Sequence, residues 1–165
     1  MNKVFFDLEW NTGFLDGNSF DEIIEIGAVK TDEEYRQIDG FRRLIRPVIY
    51  RKMNPYIQKI LAITTKDLQG EEPLAAVAKV FFDWCGDCDT LIAWSGNDFG
   101  VLEKNLAHIG MKIPEQLVRY DVQMAYAYRT ENSIRNYALK TAVEAMELPE
   151  PEGQEYHDAY CDAQF

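Results

Sequence analysis

The chain has 165 residues, 47% hydrophobic and 27% charged, a composition that excludes wholesale disorder and suits one folded domain with a sizeable core. Its 17 basic and 28 acidic residues give a net charge of −11, which excludes a protein that grips long nucleic acid by charge alone but not an enzyme whose carboxylates hold metal ions. No run approaches the roughly 18 apolar residues of a membrane span, Asp7 and Glu9 interrupt the short apolar start against a signal peptide, and three cysteines are too few for a disulfide framework, so a cytoplasmic setting is expected.

Lys3 to Glu9 mixes Val, Phe and Leu with two acids at its end and reads as a buried strand. Thr12 to Asn18, with two glycines, an Asp and an Asn, reads as a loop. Glu22 to Lys30 is rich in β-branched residues and reads as a second strand. Thr31 to Glu34 reads as a hairpin turn, and Tyr35 to Arg46 as a third strand ended by Pro47. Short links between three strands suggest an antiparallel meander. Pro55 to Leu61 is a short helix, with Asn54 as N-cap and Pro55 in the first helical position. Pro73 to Trp84 is a better one, because Leu74, Val77, Ala78, Phe81 and Phe82 share a face. Thr90 to Trp94 is a short apolar strand, Asp98 to Ile109 a helix, and Leu117 to Tyr120 a brief strand. Ser133 caps a helix to about Met146, with Leu139, Ala142, Val143 and Met146 inward, and Tyr156 to Phe165 is helical. Strands first, then alternating helices and strands, argue for one α/β layer domain with a mixed sheet.

Three short segments carry chemistry. In a strand, residues two apart share a face, so Asp7 and Glu9 project together from apolar neighbours. Adjacent carboxylates at a buried strand end repel unless a cation sits between them, and a hard divalent ion is the usual solution; a strand end that simply emerges into solvent is the alternative. In Trp94-Ser95-Gly96-Asn97-Asp98 a strand runs into a turn and a helix, where Asn97 or Asp98 is either a helix cap or part of a site at a strand end. His157 and Asp162 stand five apart and share a site only if His157 lies at the frayed start of the last helix. His108 reads as a surface or capping residue. Between Gly40 and Lys66 there is no acid, while Arg42, Arg43, Arg46, Arg51, Lys52, Lys59 and Lys66 all fall there. That window is either a solvated face or a local anion-binding one. Cys85-Gly86-Asp87-Cys88 has the spacing of a thiol or metal site. It follows a helix instead of opening one, and no second pair completes a zinc site, so a helix-end turn competes with a thiol oxidoreductase.

In order and spacing, the segments resemble the DEDDh 3′-to-5′ exonucleases of the ribonuclease H-like superfamily. Phe5-Phe6-Asp7-Leu8-Glu9 is similar to the first motif, Asn97-Asp98 followed by Leu102 to the second, and His157, Ala159 and Asp162 to the third. The run Glu22 to Val29 resembles the second strand, and Asn54-Pro55 with Ile63-Thr64 the helical insert. The RNA-trimming and sporulation-inhibitor-like branch is the most similar. The resemblance implies an α/β, ribonuclease H-like fold over residues 1–165, a single exonuclease domain with a five-stranded mixed sheet of order 3-2-1-4-5 and helices on both faces. It implies hydrolysis from the 3′ end of single-stranded nucleic acid, RNA before DNA, to mononucleotides. Two Mg²⁺ (or Mn²⁺) ions would be held by Asp7, Glu9, Asp98 and Asp162, with Asp98 acting through water. His157 would take the proton from the attacking water. The 3′-hydroxyl would sit near Glu9, and Trp10, Asn11 and Asn97 are expected to contact substrate. Trp10 suits stacking on a base or packing at the sheet edge. The alternative is a catalytically silent relative serving as a regulatory or nucleic-acid-binding module. Relatives extend the last helix several turns beyond the third motif, whereas three residues follow Asp162 here, so a shortened last helix or support from a partner is expected.

Overall fold

The computed structural model describes residues 1–131, 136–149 and 157–165. Five strands form one mixed sheet: β1 (Lys3–Leu15), β2 (Asn18–Thr31), β3 (Gln37–Leu44), β4 (Thr90–Ala93) and β5 (Val118–Asp121), in spatial order β3-β2-β1-β4-β5. The first three are antiparallel neighbours, while β4 runs parallel to β1 and β5 parallel to β4. The helices are α1 (Pro55–Leu61), α2 (Thr65–Leu68), α3 (Leu74–Cys85), α4 (Gly96–His108), α5 (Val122–Glu131), α6 (Leu139–Ala145) and α7 (Ala159–Asp162). Among the described residues no helix is long and apolar enough to cross a membrane.

Alternation along β1 divides the sheet into two faces. Val4, Phe6 and Leu8 point to one side, where they join Ile26, Phe41, Phe81, Leu102 and Leu106 in the main core beneath α3 and α4. Asp7 and Glu9 belong to the other side, which α7 crosses over β1, β2 and β3. A second apolar cluster, Ile24, Met53 and Leu68 with Leu44, Ile57 and Ile63 against it, fastens α1 and α2 to the sheet. The α1 cap is as expected: the Asn54 side chain accepts the Tyr56 N–H at 3.0 Å, with Pro55 next in the chain.

Several boundaries differ from the sequence expectations. Thr12 to Asn18 is not a loop. β1 continues to Leu15 and β2 begins at Asn18, with Asp16 and Gly17 as a two-residue turn at φ 50° and 80°. Both residues in the left-handed region is the hairpin geometry that Asp-Gly favours. Gly13 lies within β1 because Tyr50 covers it; an added Cβ would come 2.5 Å from the Tyr50 ring. β3 starts at Gln37 instead of Tyr35, since the Asp32 carboxylate gathers the Glu34 and Arg36 N–H groups into a longer turn. α4 starts at Gly96, capped by the Ser95 hydroxyl. The sequence reading gave no helix for α5, whose residues show no apolar stripe; of Val122 to Thr130, Ala127 is the fully buried one. Ser133 and Tyr156 lie outside the described residues. α6 follows Ala138, with Ala142 and Val143 buried and Met146 exposed, and α7 has four residues with Asp158 as its cap.

Candidate active site

The parallel pairing of β1 with β4 ends at Phe5 and Ile92, so the second half of β1 carries Asp7 and Glu9 past that edge of the ladder. Asp7 faces Gly27 on β2, and Glu9 faces Glu25. The register slips directly after Glu9, leaving Ile24 as the extra residue of a bulge, a device that re-aims side chains beside a site. Onto this surface α7 lays its backbone. A Cβ built on Gly27 would stand 2.1 Å from the Ala159 carbonyl carbon and the Tyr160 nitrogen, and one on Gly40 would stand 2.5 Å from the Tyr160 hydroxyl. Only glycine allows the last helix to sit this close, and the approach brings Asp162 to Asp7 and Glu9. One oxygen from each of these three carboxylates lies within 4.8 Å of the others.

Among the described residues no lysine or arginine is paired with Asp7, Glu9 or Asp162. Burial, then the charges of Asp98, Glu9, Asp162 and Glu25, push the Asp7 carboxyl well above its ordinary range. Burial, then Asp162 and Glu25, push Glu9 up to about 8. Burial also raises Asp162, whose Oδ2 accepts the His157 N–H at 3.2 Å while Oδ1 is buried without a hydrogen-bond partner. A buried carboxylate oxygen aimed among other carboxylates, in an all-oxygen set, fits a hard divalent cation.

Asp98 is buried in the first turn of α4, outside the tight trio but near enough to raise Asp7. Its own carboxyl is pushed by burial to about 6, against a 3.0 Å hydrogen bond from the Ser95 hydroxyl. His157 stands exposed just ahead of α7 at φ 71°, outside the helix, so the helical angle separating it from Asp162 does not apply. The five residues of the three motifs therefore converge on one end of the sheet.

The remaining candidates make other contacts. Trp10 packs against the main core. Asn11 is buried, its amide donating to the Lys52 carbonyl at 3.3 Å and its oxygen accepting the Asn54 N–H at 2.8 Å, so both ends tie β1 to the start of α1. Asn97 is exposed on the first turn of α4. The His108 ring packs against Phe20 in a tilted arrangement, centroids 5.7 Å apart. Cys85 and Cys88 are buried at the end of α3, and burial pushes the Cys85 thiol up to about 12, which disfavours the thiolate that redox chemistry needs.

The sequence reading missed Glu25 and gave Arg42 no place beside the carboxylates. Glu25 is fully buried in β2 and raises both Asp7 and Glu9. Arg42 on β3 donates from Nε to Glu25 Oε1 at 2.8 Å and from an Nη to Asp158 Oδ2 at 2.5 Å. The available signal was an acid between Ile24 and Ile26 in an otherwise apolar strand, since Glu is seldom buried without a partner.

Comparison with known proteins gives one family and a set of similar folds. The family model described as Exonuclease (RNase_T) matches residues 4–165. The DNA polymerase III PolC-type of Clostridium perfringens is 34% identical over 109 residues, 65% of this chain and 7% of that one. Among solved structures, cell-death related nuclease 4 (CRN-4) superposes with a TM-score of 0.81 at 15% identity, over 98% of this chain and 60% of that one. The nuclease domain of 3′hExo, a DEDDh family member bound to rAMP, gives 0.79 at 16% identity, over 99% and 86%. E. coli exonuclease I in complex with a dT13 oligonucleotide gives 0.70 at 19% identity, over 98% and 38%. At these identities the structural likeness speaks for the fold, and the chain spans a small part of the polymerase.

Proposed function

The chain belongs to the exonuclease (RNase T) family, and from that membership we propose that it removes mononucleotides from the 3′ end of single-stranded nucleic acid, with divalent metal held by Asp7, Glu9, Asp98 and Asp162. The observation that carries this reading is the trio Asp7, Glu9 and Asp162, three carboxylate oxygens within 4.8 Å of one another with no lysine or arginine paired to them among the described residues. The all-oxygen set favours two Mg²⁺ (or Mn²⁺) ions. When bound, the ions offset the crowded carboxylates and stabilise the charge that develops on the phosphodiester oxygens.

The chain's own residues do the rest. His157 stands at the exposed mouth and takes the proton from the attacking water. Its backbone N–H on Asp162 couples the base to the ligand that completes the trio. The Ser95 hydroxyl, with backbone N–H groups around it, fixes the Asp98 carboxylate, which acts through a bound water. Glu9 and the strand beyond it receive the 3′-hydroxyl. Asn11, two residues after Glu9, ties β1 to the start of α1, and the terminal nucleotide enters the site unpaired.

RNA is placed ahead of DNA, in line with the rAMP-bound neighbour; exonuclease I, the dT13-bound neighbour, holds DNA. We assign residues 1–165 to one exonuclease unit acting in the cytoplasm. The test is a single-stranded oligomer with a free 3′-hydroxyl against the same oligomer carrying a 3′-phosphate or a paired 3′ end, each as RNA and DNA. Shortening of the free, unpaired end, faster for RNA, is expected. Equal attack on the blocked ends, or internal cuts, would overturn the reading.

A further inference from the structure

α7 is only four residues long, yet it must hold Asp162 in place and present His157 immediately before its first turn. A helix this short has no stability of its own. Its placement comes from what it touches. Gly27 admits its backbone against β2, and Tyr160 fills the notch over Gly40, its hydroxyl accepting from Gln37 at 3.1 Å. These contacts fix the helix body. The start of the helix is fixed by Asp158, whose two oxygens have different tasks. Oδ1 accepts the Cys161 N–H at 3.1 Å and caps the helix, while Oδ2 takes the Arg42 guanidinium at 2.5 Å.

Arg42 stands opposite Gly27 on β3, on the same face as the carboxylates. Its other arm reaches Glu25, whose side chain is 1% exposed and whose Oε2 has no hydrogen-bond partner. One planar fork thus bridges a rigid central strand to the residue that follows His157. Arg suits this task because it donates along two fixed directions, which a lysine ammonium cannot reproduce. We propose that Arg42 is a positioning residue for the reaction, clamping Asp158 to Glu25 and so setting where His157 stands over the carboxylate trio. The proposal rests on the exonuclease reading of the site.

The test is a double-mutant cycle on a single-stranded oligomer, with kcat and KM measured separately in saturating Mg²⁺. Arg42→Ala should lower kcat by about 10- to 100-fold, the effect of misplacing a catalytic group by about 1 Å, and leave KM within about twofold. Arg42→Lys should recover part of the loss. In a His157→Ala background, Arg42→Ala should cost nothing more, because the group it places is gone. Should Arg42→Ala fail to fold, Asp158→Asn decides the matter: it keeps the helix cap and loses the ion pair. It should lower kcat and be silent in the His157→Ala background. An unchanged kcat in these variants would overturn the proposal. So would a loss that multiplies fully with that of His157→Ala. A raised KM at constant kcat would make Arg42 a phosphate contact instead. An inactive wild type would overturn the reading of the site itself, whereas an active wild type with indifferent variants would overturn only the role of Arg42.

Discussion

Replacing Glu9 by Gln should stabilise the metal-free protein above neutral pH. Glu9 is 9% exposed and is pushed from 4.5 to about 8 by burial, then by Asp162, Glu25, Asp98 and Asp158. Because the fold holds this proton more tightly than the unfolded chain, the resulting stability is fully present below about pH 4.5. It is lost as pH rises through about 8. At about 1.4 kcal/mol per tenfold change in proton affinity, Glu9 accounts for a loss of about 5 kcal/mol across that window. In a chain of this size 1 kcal/mol moves the melting temperature by about 2–4 °C, so the loss corresponds to about 10–20 °C. Glu9→Gln carries no charge to bury, so it should melt far less steeply with pH and overtake the wild type above pH 7. The assay is thermal melting in EDTA from pH 5 to 9 for both proteins. Adding Mg²⁺ should reverse their order at pH 8, because the ion binds only the wild-type cluster tightly. Superimposable curves in EDTA would refute the claim that crowded, buried carboxylates destabilise the metal-free site.

His157→Ala should lower turnover by about 10²- to 10⁴-fold while leaving Mn²⁺ affinity unchanged, read by titration calorimetry. Gly27→Ala should displace α7, since its Cβ would lie 2.1 Å from that helix's backbone; loss of activity and weakened Mn²⁺ binding in a protein that keeps its far-ultraviolet dichroism is the expected result. Binding of single strands to the wild type with Ca²⁺ should show a slope of log affinity against log salt near about −2, because a molecule of net charge −11 attracts phosphates only near the metals and the basic window. Affinity should stop improving beyond about four nucleotides, at about −0.7 in slope per phosphate held.

The legible parts of the site were those written in local periodicity. Asp7 and Glu9 share a face because strands alternate, and Asn54-Pro55 starts a helix because capping is a matter of neighbouring residues. Asp98 and the pair His157 and Asp162 became meaningful only through their order along the chain. Glu25 and Arg42 stayed hidden because their relation is a pairing across strands, joined to Asp158 more than a hundred positions away. The β1–β2 hairpin was concealed for a different reason. Gly13 looks like a loop residue until Tyr50 is seen to lie over it. α5 lacks an apolar stripe, and its visible local signal is Asp121, whose Oδ1 accepts the Met124 N–H at 2.9 Å at the helix start. Gly27 read as one small residue in an apolar strand, and its use became visible only with α7 packed upon it.

Asp7, Glu9 and Asp162 are proposed as a metal-dependent site that shortens nucleic acid from the 3′ end. The most direct test of this proposal is a time course on a 5′-labelled single-stranded RNA, with the wild type and Asp162→Ala, in Mg²⁺, in Mn²⁺ and in excess EDTA. A ladder that shortens one nucleotide at a time is expected with the wild type and either metal, and intact substrate with Asp162→Ala or EDTA. Full wild-type activity in EDTA, an undiminished Asp162→Ala enzyme, or early release of the labelled 5′ nucleotide would contradict it.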